Sequence, residues 1–290
     1  MSVMQTDPTA YPEVHIRRKA GLFSFDLKEL IRYRDLVVLL IYRDFSSRYK
    51  QTILGPGWFV LQPLLTTLVF TVIFGKLAAL PTDGIPPVLF YLCGMLGWNY
   101  HATVLQATGN SFQSNADLFG KVYFPRIIAP FSASVSQLIG WAIQFVTFLV
   151  VLSVYAFMLP EGNALLPSWR SLLLPIFVLQ AGMTGLGTGL WLSALSAKYR
   201  DLQHLQSFII QLWLYVTPIV YPLSMIPERW QWIALINPMT TVVESTRWSM
   251  LGSATFSLST SLIGMGISTL LLISGVLLFG KVERNFVDTV

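Results

Sequence analysis

An all-α polytopic membrane protein is the fold class this sequence predicts, and three observations carry the prediction. Charged residues make up 11% of the 290-residue chain, against about 25% in soluble domains. Hydrophobic residues make up 54% and aromatic residues 13%, with a mean hydropathy of +0.61. The remaining charges leave six long stretches with none: 51–75, 84–116, 127–160, 171–197, 202–227 and 248–280. A soluble domain of this size cannot cover its surface with so few charges, which excludes disorder and an ordinary cytosolic enzyme. A net charge of +5 invites nucleic acid as a partner, but the charge is placed for a membrane. Nine of the 19 Lys and Arg residues precede residue 51 and flank the first apolar stretch, the positive-inside pattern.

Taken in order, residues 1–26 read as a cytoplasmic tail without the apolar core of a cleavable signal. Residues 27–50 hold an apolar run, 36–42, flanked by Arg32, Arg34, Arg43, Arg48 and Lys50. Seven helical residues reach only about 10 Å, so this run cannot cross a bilayer. The segment is read as an amphipathic helix in the cytoplasmic interface, with Tyr42 at the end of its apolar run; the alternative is a cytosolic helix packed on a partner. Residues 51–285 form the transmembrane domain. A span needs about 20 mostly apolar residues, which places helices near 57–76, 87–109, 127–158, 171–196, 206–222 and 257–280.

The fifth segment is the least regular. Its apolar part, 208–221, is about 21 Å of helix, short of a ~30 Å hydrocarbon core. Pro218 and Pro222 then break it. The region that follows carries Glu228, Arg229, Glu244 and Arg247, with Asn237-Pro238 in its middle. Lipid-facing helices rarely bear such charges, whereas a re-entrant pair buried in protein does. Residues 286–290 close the chain as a cytoplasmic tail. With six spans and both ends inside, fifteen Lys and Arg residues lie on the cytoplasmic side, including Lys121, Arg126, Lys198, Arg200, Lys281 and Arg284. Four lie outside: Lys76, Arg170, Arg229 and Arg247. This bias orients the chain. No internal repeat of a secondary carrier is visible.

The chemistry that is missing narrows the function. Gly75-Lys76, Gly120-Lys121 and Gly280-Lys281 are not followed by Ser or Thr, so no phosphate-binding loop is present. There is no nucleophile elbow or paired-carboxylate constellation. His15, His101, His204 and the lone Cys93 lack metal-ligand spacing. The six predicted spans hold no acidic residue of the kind that ion-coupled carriers keep. Active transport by this chain therefore needs energy from a partner.

Several local motifs remain. Leu54-Gly55-Pro56-Gly57-Trp58, followed by Leu61-Gln62-Pro63-Leu64, reads as a membrane-entry turn. The second-to-third connection, NSFQSNADLFGKVYFPR over 110–126, mixes charges with exposed aromatics. It suits a plain connector or a loop that docks in a cleft of a cytoplasmic partner. KYRDLQH (198–204), TPIVYP (217–222) and INPM (236–239) follow.

In this order, the motifs resemble the membrane (permease) subunit of ABC type-2 exporters of cell-envelope polysaccharide: the O-antigen (Wzm-like), capsule and teichoic acid export permeases. The resemblance covers about residues 27–285. It implies a homodimer that binds two copies of an ABC ATP-binding subunit in the bacterial inner membrane. The chain itself would be non-catalytic and cofactor-free, with ATP and Mg held by the partner. It also implies a coupling helix over 114–123, contacting the partner through Asp117, Leu118, Phe119, Lys121 and Tyr123. The 27–50 segment becomes the interface helix where a lipid-linked polysaccharide enters. Residues 225–251 become external gate helices bending at Asn237-Pro238, with Glu244 and Arg247 in the second.

A sugar polymer needs a wet path with flat faces, and aromatic side chains supply both an apolar body and a polar tip. Trp58, Phe59, Phe70, Phe74, Tyr91, Trp98, Tyr100, Trp213, Tyr215 and Tyr221 are the channel-lining candidates, each with interface-belt or core packing as its plainer role. Gly185 and Gly189 permit close helix approach, within one chain or at a dimer seam. His101 suits a hydrogen-bonded core position. An ABC exporter of a drug or small lipid is the alternative within transport. A membrane sugar transferase is disfavoured because the inner-face carboxylates form no DxD-type pair.

Overall fold

The computed structural model describes residues 31–49, 52–122, 124–159, 168–197, 199, 201–252 and 257–287. The expected tail 1–26, the first part of the interface segment and Tyr123 lie outside them. Among the described residues all regular structure is helical. The helices are α1 (Arg34–Tyr49), α2 (Trp58–Phe70), α3 (Pro87–Gly109), α4 (Ser111–Ser114), α5 (Ala116–Lys121), α6 (Ile128–Met158), α7 (Leu174–Ser196), α8 (Leu202–Val216), α9 (Glu228–Ile236), α10 (Pro238–Leu251) and α11 (Leu258–Val287).

Four helical segments are long and apolar enough to cross a membrane: Gly55–Leu77, Ile128–Met158, Trp169–Ser196 and Leu258–Glu283. They coincide with four of the six predicted spans. The two other predicted spans are also helices but differ in kind. α3 has 23 residues, yet Asn99, His101, Gln106 and Thr108 dilute its hydropathy. α8 has 15 residues, about 22 Å of helix. Its end is set by Pro218, which turns Thr217 to an extended conformation (φ −85°, ψ 137°).

α3 is the central post. Leu89 through Trp98 are all buried, because α7, α6, α10 and α2 surround it. It starts at Pro87, whose fixed φ suits the first helical turn and whose missing N–H costs nothing there. α7 lies along α3 on one side and α11 on the other, and small residues allow it. A Cβ at Gly185 would meet the His101 carbonyl at 2.8 Å, and one at Gly187 would meet the Leu271 carbonyl carbon at 2.6 Å. The Gly185–Gly189 pair thus serves contact with α3 inside the chain. Polar side chains add to this packing: Thr184 donates to Ser268 of α11 at 2.9 Å, and Gln180 to Thr241 of α10 at 2.8 Å.

α2 carries a buried Pro63 and ends in a wider π-helical stretch, Thr71–Leu77. Between α2 and α6 runs a groove of about 830 Å³ lined by Val60, Leu64, Leu138, Ile143, Val146 and further aliphatic side chains. Its one hydroxyl, on Thr147, donates to the Ile143 carbonyl.

The helices leave two distinct ends. One gathers α1, α4, α5, the start of α6 and the last turns of α11. The other gathers the turn Trp169–Leu173, the chain break at 217–222, and α9 and α10.

Candidate functional site

The loop end is built from the connection between α3 and α6. After Gly109 the chain makes two short helices, α4 and α5, that are too short to persist alone. They are held by contacts beneath them. Phe112 of α4 stacks on Phe279 of α11, with centroids 4.6 Å apart and planes at 15°. Phe119 of α5 meets Phe112 at 6.2 Å and Phe124 at 5.6 Å. The Arg126 guanidinium lies 5.5 Å from the Phe119 ring centre, and the Arg126 backbone N–H donates to Glu283 at 3.2 Å. Leu118 and Phe119 pack against a cluster of Val37, Leu40, Phe124 and Ile128, which also fastens α1 to α6.

Among the described residues, a polar contact joins α1 to this loop. The Arg43 guanidinium donates to the Asn115 side-chain oxygen at 2.8 Å and to Asp44 at 2.7 Å. Asn115 is buried and donates in turn to the Ser111 carbonyl at 3.0 Å. This platform presents a mixed outward face: Gln113, Ser114, Asp117 and Lys121 are exposed, and so are Ala116, Gly120 and Val122. Of the predicted partner contacts, Asp117 and Lys121 therefore sit on the open face, and Leu118 and Phe119 sit half-buried beneath them.

Arg32, just ahead of α1, and Arg34 at its start are exposed, with Arg34 3.6 Å from Asp35. The Arg48 side chain lies outside the described ones. Val37 and Leu40 face α6, while Val38, Leu39 and Tyr42 are exposed. The apolar residues of α1 thus divide between the chain and its surroundings rather than gathering on one face.

The opposite end is organised by a buried ion pair. Asn237 caps α10, its side-chain oxygen accepting from Met239 N–H at 3.0 Å, and Pro238 fills the first helical position. Asn237 also accepts from the Trp213 indole at 2.8 Å and donates to Thr217 at 2.9 Å. About two to three turns further along, Arg247 is 1% exposed and Glu244 is 6% exposed. Arg247 meets Glu244 at 3.0 Å and donates to the Pro218 and Ile219 carbonyls, each at 2.7 Å. Its guanidinium carbon lies 3.6 Å from the centre of the Phe90 ring. Gly94 makes room for it, since a Cβ there would fall 2.7 Å from the guanidinium. One side chain therefore satisfies two carbonyls freed by the proline break and locks them to α3 and α10. A buried arginine is tolerable only with this many partners.

The predicted channel-lining aromatics separate into groups. Phe70, Phe74 and Tyr91 pack edge-to-face inside the chain, at 5.5 and 6.0 Å. Trp98 and Trp213 enclose His101, whose ring is 4.7 Å from Trp213. Tyr100 is buried and faces Gly182, and Phe59 lies over Gly140. Trp58 and Tyr215 are exposed, and the Tyr221 hydroxyl donates to the Val216 carbonyl at 3.3 Å. Tyr91, Trp98 and Tyr100 thus belong to the core of this chain. The residues that sequence reasoning missed are Asn115, Phe112, Phe279 and Glu283, whose importance lies in contacts across the chain. No three His, Cys, Asp or Glu side chains among the described residues lie together as a metal site.

Residues 35–251 match the family described as ABC-2 type transporter. The chain is 31% identical over 223 residues to the O-antigen export system permease protein RfbA of Myxococcus xanthus, covering 76% of this chain and 81% of that protein. It is 28% identical over 255 residues to RfbA of Klebsiella pneumoniae, covering 88% and 94%. It is 21% identical over 248 residues to the polysialic acid transport protein KpsM of Escherichia coli, covering 80% and 91%.

Proposed function

The chain belongs to the ABC-2 type transporter family, and from that premise we propose that it forms the membrane channel for ATP-driven export of a lipid-linked, O-antigen-like polysaccharide. A separate ABC ATP-binding subunit supplies the energy and holds ATP and Mg. The observation that carries this reading is the platform at 110–126. Its mixed outward side, with Asp117 and Lys121, is open, and its apolar side rests on α1, α6 and α11. A loop built this way transmits force from a docked partner to several helices at once. The relatives named for O-antigen export support the cargo class.

In this reading the chain is a homodimer with two ATP-binding subunits in the bacterial inner membrane. Six spans cross it, α3 and α8 completing the set, and both termini are cytoplasmic. α1 is the interface helix. α9 and α10 are the external gate helices, with Asn237-Pro238 at their bend. ATP-driven closure of the partner dimer moves the platform and α1 together. It does so only if the ATP-bound partner favours one membrane-subunit state over the other.

Disrupting the gene in its host tests the proposal. The expected result is loss of surface polysaccharide with lipid-linked glycan retained on the cytoplasmic side, both reversed by the intact gene. Unchanged surface polysaccharide contradicts it.

A further inference from the structure

At the end of the bundle opposite the platform, the turn Trp169–Leu173 meets the last turn of α10. The contact is specific. Ser171 donates to the Ser249 carbonyl at 3.2 Å. The Arg170 guanidinium reaches the Gly252 carbonyl at 3.4 Å and lies 5.1 Å from the Trp248 ring centre. Gly252 ends α10 in the left-handed conformation, φ +75°, which glycine adopts without steric cost. Between the two segments is a cavity of about 220 Å³, lined by Ser168, Trp169, Arg170, Ser249 and Gly252 among others.

The chemistry of this cavity differs from that of the aliphatic groove between α2 and α6. Trp169 is 68% exposed, and its indole stands edge-on to Trp248, with planes at 89°. Arg170 has no carboxylate partner among the described residues. An exposed tryptophan, a guanidinium and the Ser168 hydroxyl therefore line one small space.

We propose that this cavity is a subsite for a single pyranose ring of a saccharide, on the side where the exported polymer emerges. The assignment of side and of saccharide rests on the function proposed above. The indole stacks on the C–H face of the ring. The planar guanidinium presents two parallel N–H groups that bridge neighbouring hydroxyls, or the carboxylate of an acidic sugar. The volume is below the ~300 Å³ at which sites for larger ligands begin, so the cavity takes one ring and not a run of them. A bare phosphate would use the guanidinium and leave the indole face idle.

Saturation-transfer NMR on the full chain, purified in lauryl dimethylamine oxide so that the detergent brings neither sugar nor phosphate, tests this. The probes are methyl α-mannoside, methyl α-galactoside, N-acetylglucosamine and glucuronic acid, with glycerol 3-phosphate standing for a lipid headgroup. At least one sugar is expected to receive saturation at its ring C–H protons. Trp169→Ala should lower that signal at least fivefold and Arg170→Gln at least threefold, with melting temperature unchanged. Saturation of none of the sugars, equal signals in both variants, or signal from glycerol 3-phosphate alone overturns the proposal. Gene disruption is scored separately. Surface polysaccharide that depends on the gene, in a chain that binds no sugar, refutes the subsite and leaves the export reading standing. Sugar binding with gene-independent polysaccharide does the reverse.

Discussion

Arg43 and Asn115 lie 72 positions apart and are joined by a 2.8 Å hydrogen bond. The bond links the helix ahead of the first span to the loop between the second and third predicted spans. A hydrogen bond to a charged group contributes about 1.5–3 kcal/mol when well formed, and the exposure of Arg43 reduces this. We expect Asn115→Ala to leave the chain folded and able to bind its ATP-binding subunit. Export per ATP hydrolysed should fall several-fold, because α1 no longer moves with the loop. Transport and ATPase rates measured on the same proteoliposomes check this.

Arg247 makes a second prediction, of larger size. Removing one member of a buried ion pair costs about 3–5 kcal/mol, because the other charge stays buried without a partner. Arg247→Met should therefore yield little folded protein. Glu244→Gln combined with Arg247→Met should recover part of the loss, and only part, since the Pro218 and Ile219 carbonyls still lack their donor. Detergent melting temperatures of the single and double variants measure the difference.

Helix approach gives a third. A Cβ at Gly187 would collide with the backbone at Leu271 and Leu272, whereas one at Gly266 has nothing within 4 Å. Gly187→Ala should separate α7 from α11 and lower the melting temperature by several degrees. Gly266→Ala should leave it unchanged or slightly raised, since alanine restricts the unfolded chain. Both substitutions add one methyl group to a helix of this pair, so the contrast isolates contact from propensity.

These positions also mark what the sequence can and cannot reveal. Helix placement was legible because charge-free length is local: the predicted segments near 57–76, 127–158, 171–196 and 257–280 match the spanning helices within a few residues. The interruption at Asn237-Pro238 was legible too, because proline breaks a helix, but not the cap that Asn237 places on α10. The loop at 110–126 could be singled out by its mixture of charge and aromatics, but not the platform under it. Phe112 on Phe279 and Arg126 against Glu283 pair residues more than 150 positions apart, and one sequence carries no record of such pairing. Arg247 read as a charge in an external gate. Its partners are backbone carbonyls and an aromatic face, which no residue type announces. Tyr91, Trp98 and Tyr100 read as channel candidates because aromatic content does not distinguish a channel wall from a core.

The measurement that tests the central claim most directly is ATPase activity of this chain co-expressed with its ATP-binding subunit. The native loop is compared with Asp117→Ala, Lys121→Ala and the two combined. Both residues are exposed, so the substitutions spare the packing that Leu118 and Phe119 provide. The account predicts a complex of two membrane and two ATP-binding subunits, and at least a threefold fall in ATPase activity or complex yield with the double variant. Failure to form a complex, or equal activity and yield for all four proteins, contradicts the assignment of 110–126 as the coupling loop.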